Sequence, residues 1–498
     1  MTTYKGILPQ IFIYNLHIKY NIRGANIKKI KWLTIISIFV FTILIFSNIN
    51  CNEVKAFKKN NSNALENYDL VIIAPYEFSK NLQPLIEHKN SVGIKTKLIF
   101  VESIYNFFEG RDKPEQIKYF IKYALENWSI KYVLLVGDVN KIPIRTTYSS
   151  IWPEYEPDII SDHYYADIYD ENDSFCSWDS NGNDRFGEIL IRNDTGYEYY
   201  ARCPDCWKIV VNVTDIDGVD LYPDVIVGRL PCSKRREVNI VVNKIIRYEK
   251  ETCFKSWFKK IILMGGDDHP EFEGAEGEIE TGEVAQQLPD FEHIILWESK
   301  QNLNVLNFNR EMNKGVGFVS YSGHGTEFQW AAYAKNSEGK RSVNYYTPYI
   351  RLLRNQNKLP IMFFSSCLMA RLDFTFNDLT SYKPLNLLKI LTLLPGLDED
   401  TLLPCFAWSF VKKKSGGAIA TIGSTRVCYG YNDGEGVRGG GAYLNVHFFK
   451  AYHEGVTIGE MFTQSQKDYL DNVLPDYMTL EEFILIGDPS LRVGGYSN

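Results

Sequence analysis

An excess of basic charge is lacking in this chain of 498 residues, which has 54 lysines and arginines, 61 aspartates and glutamates, and a formal net charge of -7. Proteins that bind nucleic acid usually carry a basic face that neutralises phosphates, so this balance argues against a nucleic-acid partner. A glycine-rich loop is also absent after the first predicted strand, where Ala74-Pro75-Tyr76 stands instead. That absence argues against a nucleotide-binding α/β protein.

Cysteine is sparse too, since nine cysteines in 498 residues are too few for a fold held together by disulfides. Because nine is an odd number, at least one thiol remains unpaired if the others form disulfides. Cys203-Pro-Asp-Cys206 fits half of a zinc site, a local disulfide or two free thiols. A structural zinc usually needs a second pair, and only the scattered Cys176 and Cys232 are available, so these alternatives stay open.

Long apolar runs are absent except for one near the N-terminus, where Lys28, Lys29 and Lys31 precede an uncharged stretch from Trp32 to Asn52. About 18 apolar residues can just span a hydrocarbon core, and the lysines would keep the N-terminus in the cytoplasm. We therefore expect a basic N-region over 1–31 and a signal peptide or transmembrane anchor over 32–50, with a buried globular helix as the alternative. The rest of the chain would be secreted or held at the cell surface, and its membrane contact would be this segment.

Apolar residues make up 45% of the chain and aromatic residues 14%, which is enough for a sizeable core. The polar stretch 51–67 is typical of a linker. Beyond it, short apolar runs alternate with amphipathic stretches of helical length, which predicts βαβ units and a mostly parallel sheet. The pattern restarts near residue 257, so we predict two α/β subdomains, over 68–256 and 257–498, unless the two halves share one continuous core.

Two predicted strands of the second half end in reactive residues. The strand Gly317–Tyr321 leads into His324, and the strand Pro360–Phe364 leads into Cys367. Parallel neighbouring strands place their carboxyl ends at the same edge of a sheet, so the two side chains are expected to meet there. An imidazole can take the proton of a thiol and later protonate a leaving amine. A buried structural cysteine and an ordinary Gly-His-Gly turn are the alternatives.

Glycines stand on both sides of His324, at positions 323 and 325. They permit a tight turn and leave no side chain over the predicted cleft. The backbone N–H groups of Gly325 and Cys367 are therefore candidates for an oxyanion hole, which stabilises the negative charge that develops during attack on a carbonyl group.

These segments resemble the gingipain cysteine peptidases, which share the fold of caspases and legumains. The segment Phe318–Glu327, followed by Trp330, is similar to the family's histidine segment, and Leu359–Cys367 is similar to its nucleophile segment. Further similar segments follow in the family's order between about Tyr68 and Val493: Val227–Cys232, Tyr248-Glu249, Pro404–Ala407, Gly417–Ser424 and Ile486–Arg492. The resemblance implies a caspase-like α/β fold with two adjacent, mostly parallel subdomains.

The same resemblance implies a cysteine endopeptidase that acts on polypeptides and needs no organic cofactor. Cys367 would be the nucleophile, His324 the general acid-base, and the amides of Gly325 and Cys367 the oxyanion hole. A third, acidic residue that orients the histidine is implied after the strand Ile261–Met264, where Asp267 and Asp268 stand. Asp268 is the first choice, although both aspartates also suit a turn cap or a cation site. A catalytically silent surface or binding protein that keeps the fold is the alternative function.

Gingipains cleave after Arg or Lys by means of an acidic pocket, so the resemblance implies a similar pocket here. Five glutamates between residues 273 and 283 lie where a pocket residue would fall. Glu276 among them, together with Trp330, is the predicted substrate contact. Glutamates at this spacing are equally typical of a solvated helix face, which is the preferred interpretation. An extra stretch, Leu385–Leu394, departs from the family and predicts an amphipathic helix that acts as a lid or a membrane contact.

Asp179, Asn181 and Asn183 alternate along the chain as oxygen ligands do in the first half of a calcium loop. They are the predicted ligands of a structural Ca2+ ion. The segment lacks the glycine of an EF-hand at the sixth position, where Asp184 stands, and an Asx-rich turn is the alternative.

Overall fold

The computed structural model describes residues 67–148, 158–193, 210–215, 217–267, 275–333, 341–381, 398, 400–432, 436–473 and 477–497. The predicted N-region and apolar segment, most of the linker, Cys203, Cys206, Asp268 and the stretch Leu385–Leu394 therefore lie outside the described residues. Within the described ranges, no helix is both long and apolar enough to cross a membrane.

The N-terminal half alternates strands and helices, as its sequence pattern predicts. The strands Leu70–Ala74 and Tyr132–Val136 are buried on both faces, which is typical of the central strands of a parallel sheet. The helix Lys113–Trp128 is capped by Asp112, whose side chain accepts a hydrogen bond from the amide of Glu115. The elements are β1 (Leu70–Ala74), α1 (Ser79–Ser91), β2 (Thr96–Phe100), α2 (Val101–Phe107), α3 (Lys113–Trp128), β3 (Tyr132–Val136), β4 (Arg145–Tyr148), β5 (Asp158–Ser161), β6 (Ile189–Asn193), β7 (Val210–Asp215), β8 (Ile226–Leu230) and α4 (Arg235–Glu251).

The second half repeats the alternation and adds an antiparallel hairpin after its third strand. Its elements are β9 (Lys260–Gly265), α5 (Glu276–Gln287), β10 (Glu292–Trp297), α6 (Val305–Lys314), β11 (Phe318–Ser322), β12 (His324–Thr326), β13 (Gln329–Tyr333), β14 (Arg341–Tyr346), β15 (Ile361–Ser365), α7 (Phe376–Ser381), α8 (Phe406–Val411), β16 (Ala420–Ser424), β17 (Gly430–Asn432), β18 (Val437–Gly439), α9 (Gly440–Lys450), α10 (Ile458–Asn472), α11 (Tyr477–Glu482) and β19 (Phe483–Ile486).

Ten of the described strands form one sheet in the order β10-β9-β11-β15-β16-β19-β8-β3-β1-β2. The strands from β10 to β16 run parallel to one another, and so do those from β19 to β2. The two sets meet between β16 and β19, which are antiparallel. The predicted mostly parallel α/β fold is therefore confirmed. The strands of 68–256 and 257–498 lie in one continuous sheet, and the division into two folding units stays a prediction.

The segment Ile486–Arg492 is tied to the N-terminal half by buried charges. The Nζ atom of Lys89 in α1 lies 2.8 Å from Oε1 of Glu249 in α4 and 2.8 Å from Oδ2 of Asp488. His88 Nε2 lies 2.7 Å from the other oxygen of Glu249. Burial by itself lowers the pKa of Lys89, but the carboxylates of Asp488 and Glu249 outweigh it and raise that pKa. The segment Ile486–Arg492, which resembles a gingipain segment, thus has a structural role in joining the two halves.

Candidate functional site

The reactive residues lie at one edge of the sheet, where β9, β11, β15 and β16 end. Ser322, the last residue of β11, is paired with Ser365, the last residue of β15, and with Gly265 at the end of β9. His324 and Cys367 each follow that serine pair by two residues. The structure thus brings together the two strand ends that the sequence predicts to be neighbours.

Gly325 packs directly against the turn that carries Cys367. A Cβ atom built on Gly325 would lie 2.5 Å from the carbonyl oxygen of Cys367 and 2.8 Å from Oγ of Ser366. Real Cβ atoms do not approach other atoms so closely, so any side chain at this position would push the two segments apart. The amide of Gly323 also donates a hydrogen bond to the carbonyl oxygen of Ser365, at 3.3 Å. The histidine segment and the cysteine segment are therefore in direct contact.

His324 begins β12, the first strand of a three-stranded antiparallel sheet with β13 and β14. Its side chain is half-buried, and its ring packs edge-on against that of Tyr333 with 5.0 Å between the ring centroids. The hydroxyl of Tyr321 lies within hydrogen-bond distance of the carbonyl oxygens of His324, at 2.8 Å, and Ala331, at 2.7 Å. These contacts hold the backbone of the histidine while its ring stays accessible.

Cys367 is half-buried, and its Sγ atom lies 3.5 Å from the carbonyl oxygen of Cys428 in the loop after β16. The next residue, Leu368, has a φ of 61°. A left-handed conformation is costly for a residue other than glycine, and such strain is concentrated at functional sites. The amide of Leu368 donates to the carbonyl oxygen of Arg426 at 2.9 Å, which holds the strained turn in place. The thiol is thus presented at a sharp bend after the strand.

Of the two aspartates that are candidates to orient the histidine, Asp267 is described by the structure, and it lies next to β13. Asp267 is 1% exposed, and its backbone forms a pair of hydrogen bonds with that of Tyr333, at 3.2 and 3.3 Å. The backbone of Asp267 is thus bonded to the residue whose ring packs on His324. Both aspartates remain candidates for the orienting acid, and the side chain of Asp268 lies outside the described residues.

An ion pair of a buried glutamate with a half-buried arginine, which the sequence analysis missed, joins the histidine segment to the chain that follows Cys367. Glu327, between β12 and β13, is 0% exposed, and its Oε1 atom accepts a hydrogen bond from Nη1 of Arg371 at 2.7 Å. Arg371 stands four residues after Cys367 in the sequence, and it also pairs with Asp373 and Asp378. A signal existed in the sequence, since Glu327 ends the segment that resembles the family's histidine segment, but its partner is distant along the chain.

The predicted substrate contacts lie in different surroundings. Glu276 is half-buried at the first position of α5. Trp330 is 1% exposed and stacks on Tyr345, with 5.3 Å between ring centroids and 6° between planes. Its indole supports the hairpin from within the core, and its contact with substrate stays a prediction. The interpretation of the glutamate-rich stretch as a solvated face is wrong for Glu280, which is 4% exposed.

The predicted calcium ligands form a network of turn hydrogen bonds. The carboxylate of Asp179 accepts the amides of Asn183 and Asp184, at 2.9 and 3.1 Å, and pairs with Arg111 at 2.5 Å. The side-chain oxygen of Asn181 accepts the amide of Asn183 at 2.9 Å. In the part of the chain that the structure describes, no group of three His, Cys, Asp or Glu residues is placed to hold a metal ion. The calcium site stays a prediction.

Comparison with known families and proteins bears on this site. Residues 63–494 match the family described as Peptidase family C25. Gingipain R2 of Porphyromonas gingivalis is 22% identical over 442 residues, which are 86% of this chain and 46% of the relative. Lys-gingipain W83 of the same organism is 23% identical over 224 residues, 43% of this chain and 10% of the relative. The chain thus spans about half the length of gingipain R2.

Solved structures share the fold. The crystal structure of the Arg-specific cysteine proteinase gingipain R (RgpB) aligns with a TM-score of 0.56 at 20% identity, over 87% of this chain and 79% of that one. The complex of the pro- and mature domains of RgpB from P. gingivalis aligns with a TM-score of 0.55 at 19% identity, over 85% and 79% of the two chains. The resemblance to the gingipains and the caspase-like fold are confirmed.

Proposed function

This chain belongs to peptidase family C25, and on that premise we propose that it is a cysteine endopeptidase in which Cys367 attacks the peptide carbonyl carbon and His324 is its acid-base partner. The observation that carries the proposal is the pairing of Ser322 with Ser365, which puts both reactive residues two positions beyond one register pair. The close contact between Gly325 and the backbone of Cys367 adds to it.

In the proposed reaction, the imidazole of His324 takes the proton of the Cys367 thiol, and the thiolate adds to the carbonyl carbon of the peptide bond. The negative charge that develops on the carbonyl oxygen is stabilised by the amides of Gly325 and Cys367. The imidazolium then protonates the leaving amine as the C–N bond breaks, which leaves a thioester. Water, deprotonated by the imidazole, hydrolyses the thioester and regenerates the thiol.

We infer a preference for Arg or Lys before the cleaved bond. The solved relative is named an Arg-specific proteinase, and Glu276 is the candidate for an acidic pocket in this chain. Its neighbour Gly277 packs against the end of β11, because a Cβ atom there would lie 2.8 Å from the carbonyl oxygen of Ser322. Glu276 is therefore at the same sheet edge as His324. A carboxylate there would pair with a guanidinium or an ammonium group.

An activity-based probe tests the proposal on the full chain. An acyloxymethyl ketone with Arg or Lys next to the reactive group should label the protein covalently, and Cys367→Ala should abolish the label. Cys253→Ala is the matched control, because it removes a half-buried free thiol of another region and should leave labelling intact. If Cys367→Ala is still labelled, or if folded protein resists probes with a broad range of side chains, the peptidase proposal is wrong and a binding protein that keeps the fold is favoured.

A further inference from the structure

A single buried carboxyl group connects the strands that carry the two reactive residues. Oε2 of Glu280 accepts hydrogen bonds from Oγ of Ser322 at 2.6 Å and from Oγ of Ser365 at 3.2 Å. Its Oε1 atom accepts a hydrogen bond from Nδ2 of Asn445 in α9 at 2.5 Å. All four side chains are buried. Glu280 therefore bridges the last residue of β11 and the last residue of β15.

Glycines bring the helix of Glu280 close enough to make this bridge. A Cβ atom on Gly265, at the end of β9, would lie 2.2 Å from the carbonyl oxygen of Gly277, in the first turn of α5. The amide of Gly277 donates to the carbonyl oxygen of Gly266 at 3.0 Å. The helix thus lies directly on the strand ends. Glu280 is three residues after Gly277, on the same side of the helix, and so points at the strands.

Asn445 of α9, the helix that packs beside α5, completes the cluster. Asn445 also donates from Nδ2 to Oγ of Ser320, in the middle of β11, at 2.9 Å. Glu280 and Asn445 therefore hold β11 at two positions, two residues apart, and Glu280 is also hydrogen-bonded to Ser365 of β15. The carboxyl group is the member of the cluster that fixes one strand end relative to the other.

The electrostatic setting of Glu280 is unusual for a residue with only a packing role. Burial and, to a smaller extent, the nearby carboxylate of Glu283 raise its pKa, the hydrogen bonds from Ser322, Asn445 and Ser365 lower it, and the net result is a pKa of about 7. Within the described residues, no basic side chain forms an ion pair with Glu280. A buried carboxyl group without a counter-charge is costly, and such groups are concentrated at functional sites.

We infer that Glu280 is a positioning residue for the proposed Cys367–His324 pair, and that its carboxyl group, in addition to the backbone pairing of β11 with β15, restricts movement of the two strand ends and hence fixes the approach of the imidazole to the thiol. The inference rests on the proposed function. Ser322 and Ser365 each precede their reactive residue by two positions, so a shift of either strand end is passed to the site. A misplacement of about 1 Å can cost about a hundredfold in rate.

Substitutions of Glu280 in the full chain test the inference through kinetics. Glu280→Ala should lower kcat about tenfold or more while KM for a peptide substrate changes little, because the bridge is lost and the substrate contacts are kept. Glu280→Gln should restore most of kcat, since its amide oxygen can accept from both serine hydroxyls and its amino group can donate to Oδ1 of Asn445 once the side-chain amide of Asn445 turns over. Glu278→Gln is the matched control in the same helix. Its carboxylate accepts hydrogen bonds from Ser299 instead, so kcat should stay at the wild-type value.

A second measurement does not depend on turnover. The rate of Cys367 alkylation by iodoacetamide as a function of pH reports whether the thiol is coupled to an imidazole. In Glu280→Ala this profile should move toward that of an isolated thiol, with a pKa of about 8.5. A Ser322→Ala/Ser365→Ala variant removes the same bridge and should behave alike, and it decides the question if Glu280→Ala does not fold.

The outcomes separate the two proposals. Absence of peptide turnover and of probe labelling in the wild-type protein would refute the proposed function, whereas the alkylation profiles still test the bridge. The positioning role is refuted if a folded variant without the bridge keeps the wild-type kcat and alkylation profile. It is also refuted if Glu280→Gln is as impaired as Glu280→Ala, because the charge and not the bridge would then matter.

Discussion

Arg426 holds Asp373 through two parallel hydrogen bonds, from Nη1 to Oδ1 at 3.0 Å and from Nη2 to Oδ2 at 2.8 Å. Arg426 follows β16, and Asp373 follows the strained turn after Cys367. The carbonyl oxygen of Arg426 also accepts the amide of Leu368. One residue therefore braces the cysteine turn with both its side chain and its backbone, and bidentate geometry makes the brace directional.

This pair predicts a specific acid sensitivity. Burial by itself raises the pKa of Asp373, but Arg426 outweighs it and holds that pKa below its ordinary value. A carboxyl group whose pKa is lower in the folded state stabilises the fold above the unfolded value of about 3.9, and that contribution is lost as the pH falls through the folded pKa. Melting temperatures of wild-type protein and Asp373→Asn should thus differ at pH 7, and the difference should shrink progressively as the pH falls below about 4. A constant difference down to pH 2.5 would contradict this assignment.

Gly325 gives a prediction about activity. Gly325→Ala should lower kcat about tenfold or more, because the new methyl group meets the carbonyl oxygen of Cys367 and separates the two reactive segments. Gly282→Ala, in α5, is the matched control, since its nearest neighbours are ring carbons of Trp297 at 3.9 Å. That change should leave kcat unaltered and raise stability by up to about 1 kcal/mol. Steady-state kinetics and thermal melting of both variants check the contrast, and wild-type turnover in Gly325→Ala would show that the contact is not needed.

The buried charges around Lys89 give a prediction about stability. Lys89→Met should lower the free energy of unfolding by about 3–5 kcal/mol, because it leaves the buried carboxylate of Asp488 without its partner. Asp488→Asn should cost less, because Lys89 keeps its ion pair with Glu249. Replacing Lys89, Glu249 and Asp488 together by Met, Gln and Asn should cost less than the worst single change. Denaturant unfolding of the four proteins measures these differences. Single variants within about 1 kcal/mol of wild type would show that the ion pairs are dispensable.

The choice between two adjacent aspartates is testable by kinetics. Asp268→Asn should lower kcat at least about tenfold if Asp268 orients the imidazole of His324 and stabilises its charged form. Asp267→Asn, at a buried position whose backbone bonds Tyr333, should mainly lower the melting temperature. The reverse pattern would assign the orienting role to Asp267.

Removal of calcium should have little effect. The carboxylate of Asp179 already accepts two backbone amides and pairs with Arg111, whose positive charge opposes a cation at the same place. We expect the melting temperature to change by less than about 1 °C between EGTA and excess Ca2+. A clear increase with Ca2+ that disappears in Asp179→Asn would establish the predicted metal site.

The neighbouring strand ends of His324 and Cys367 were predictable because the period of apolar residues, the turn glycines and the geometry of parallel strands are all local or general rules. The bridge by Glu280 was not. The glutamates between residues 273 and 283 have the spacing of a solvated helix face. The contact of Gly277 with Gly265 is what turns Glu280 toward the sheet. The pairing of Glu327 with Arg371 depends in the same way on which loops meet, which no local pattern encodes.

The place of β19 has a consequence for how the protein is made. This strand comes last among the described strands, yet it lies in the middle of the sheet, between β16 and β8. During synthesis the edges of β16 and β8 consequently have no strand between them until residues 483–486 have been made. We expect the joining of the two sets to be a late, non-local step of the kind that slows folding. A protein assembled in this order completes its central sheet only when nearly all of the chain described here has been translated.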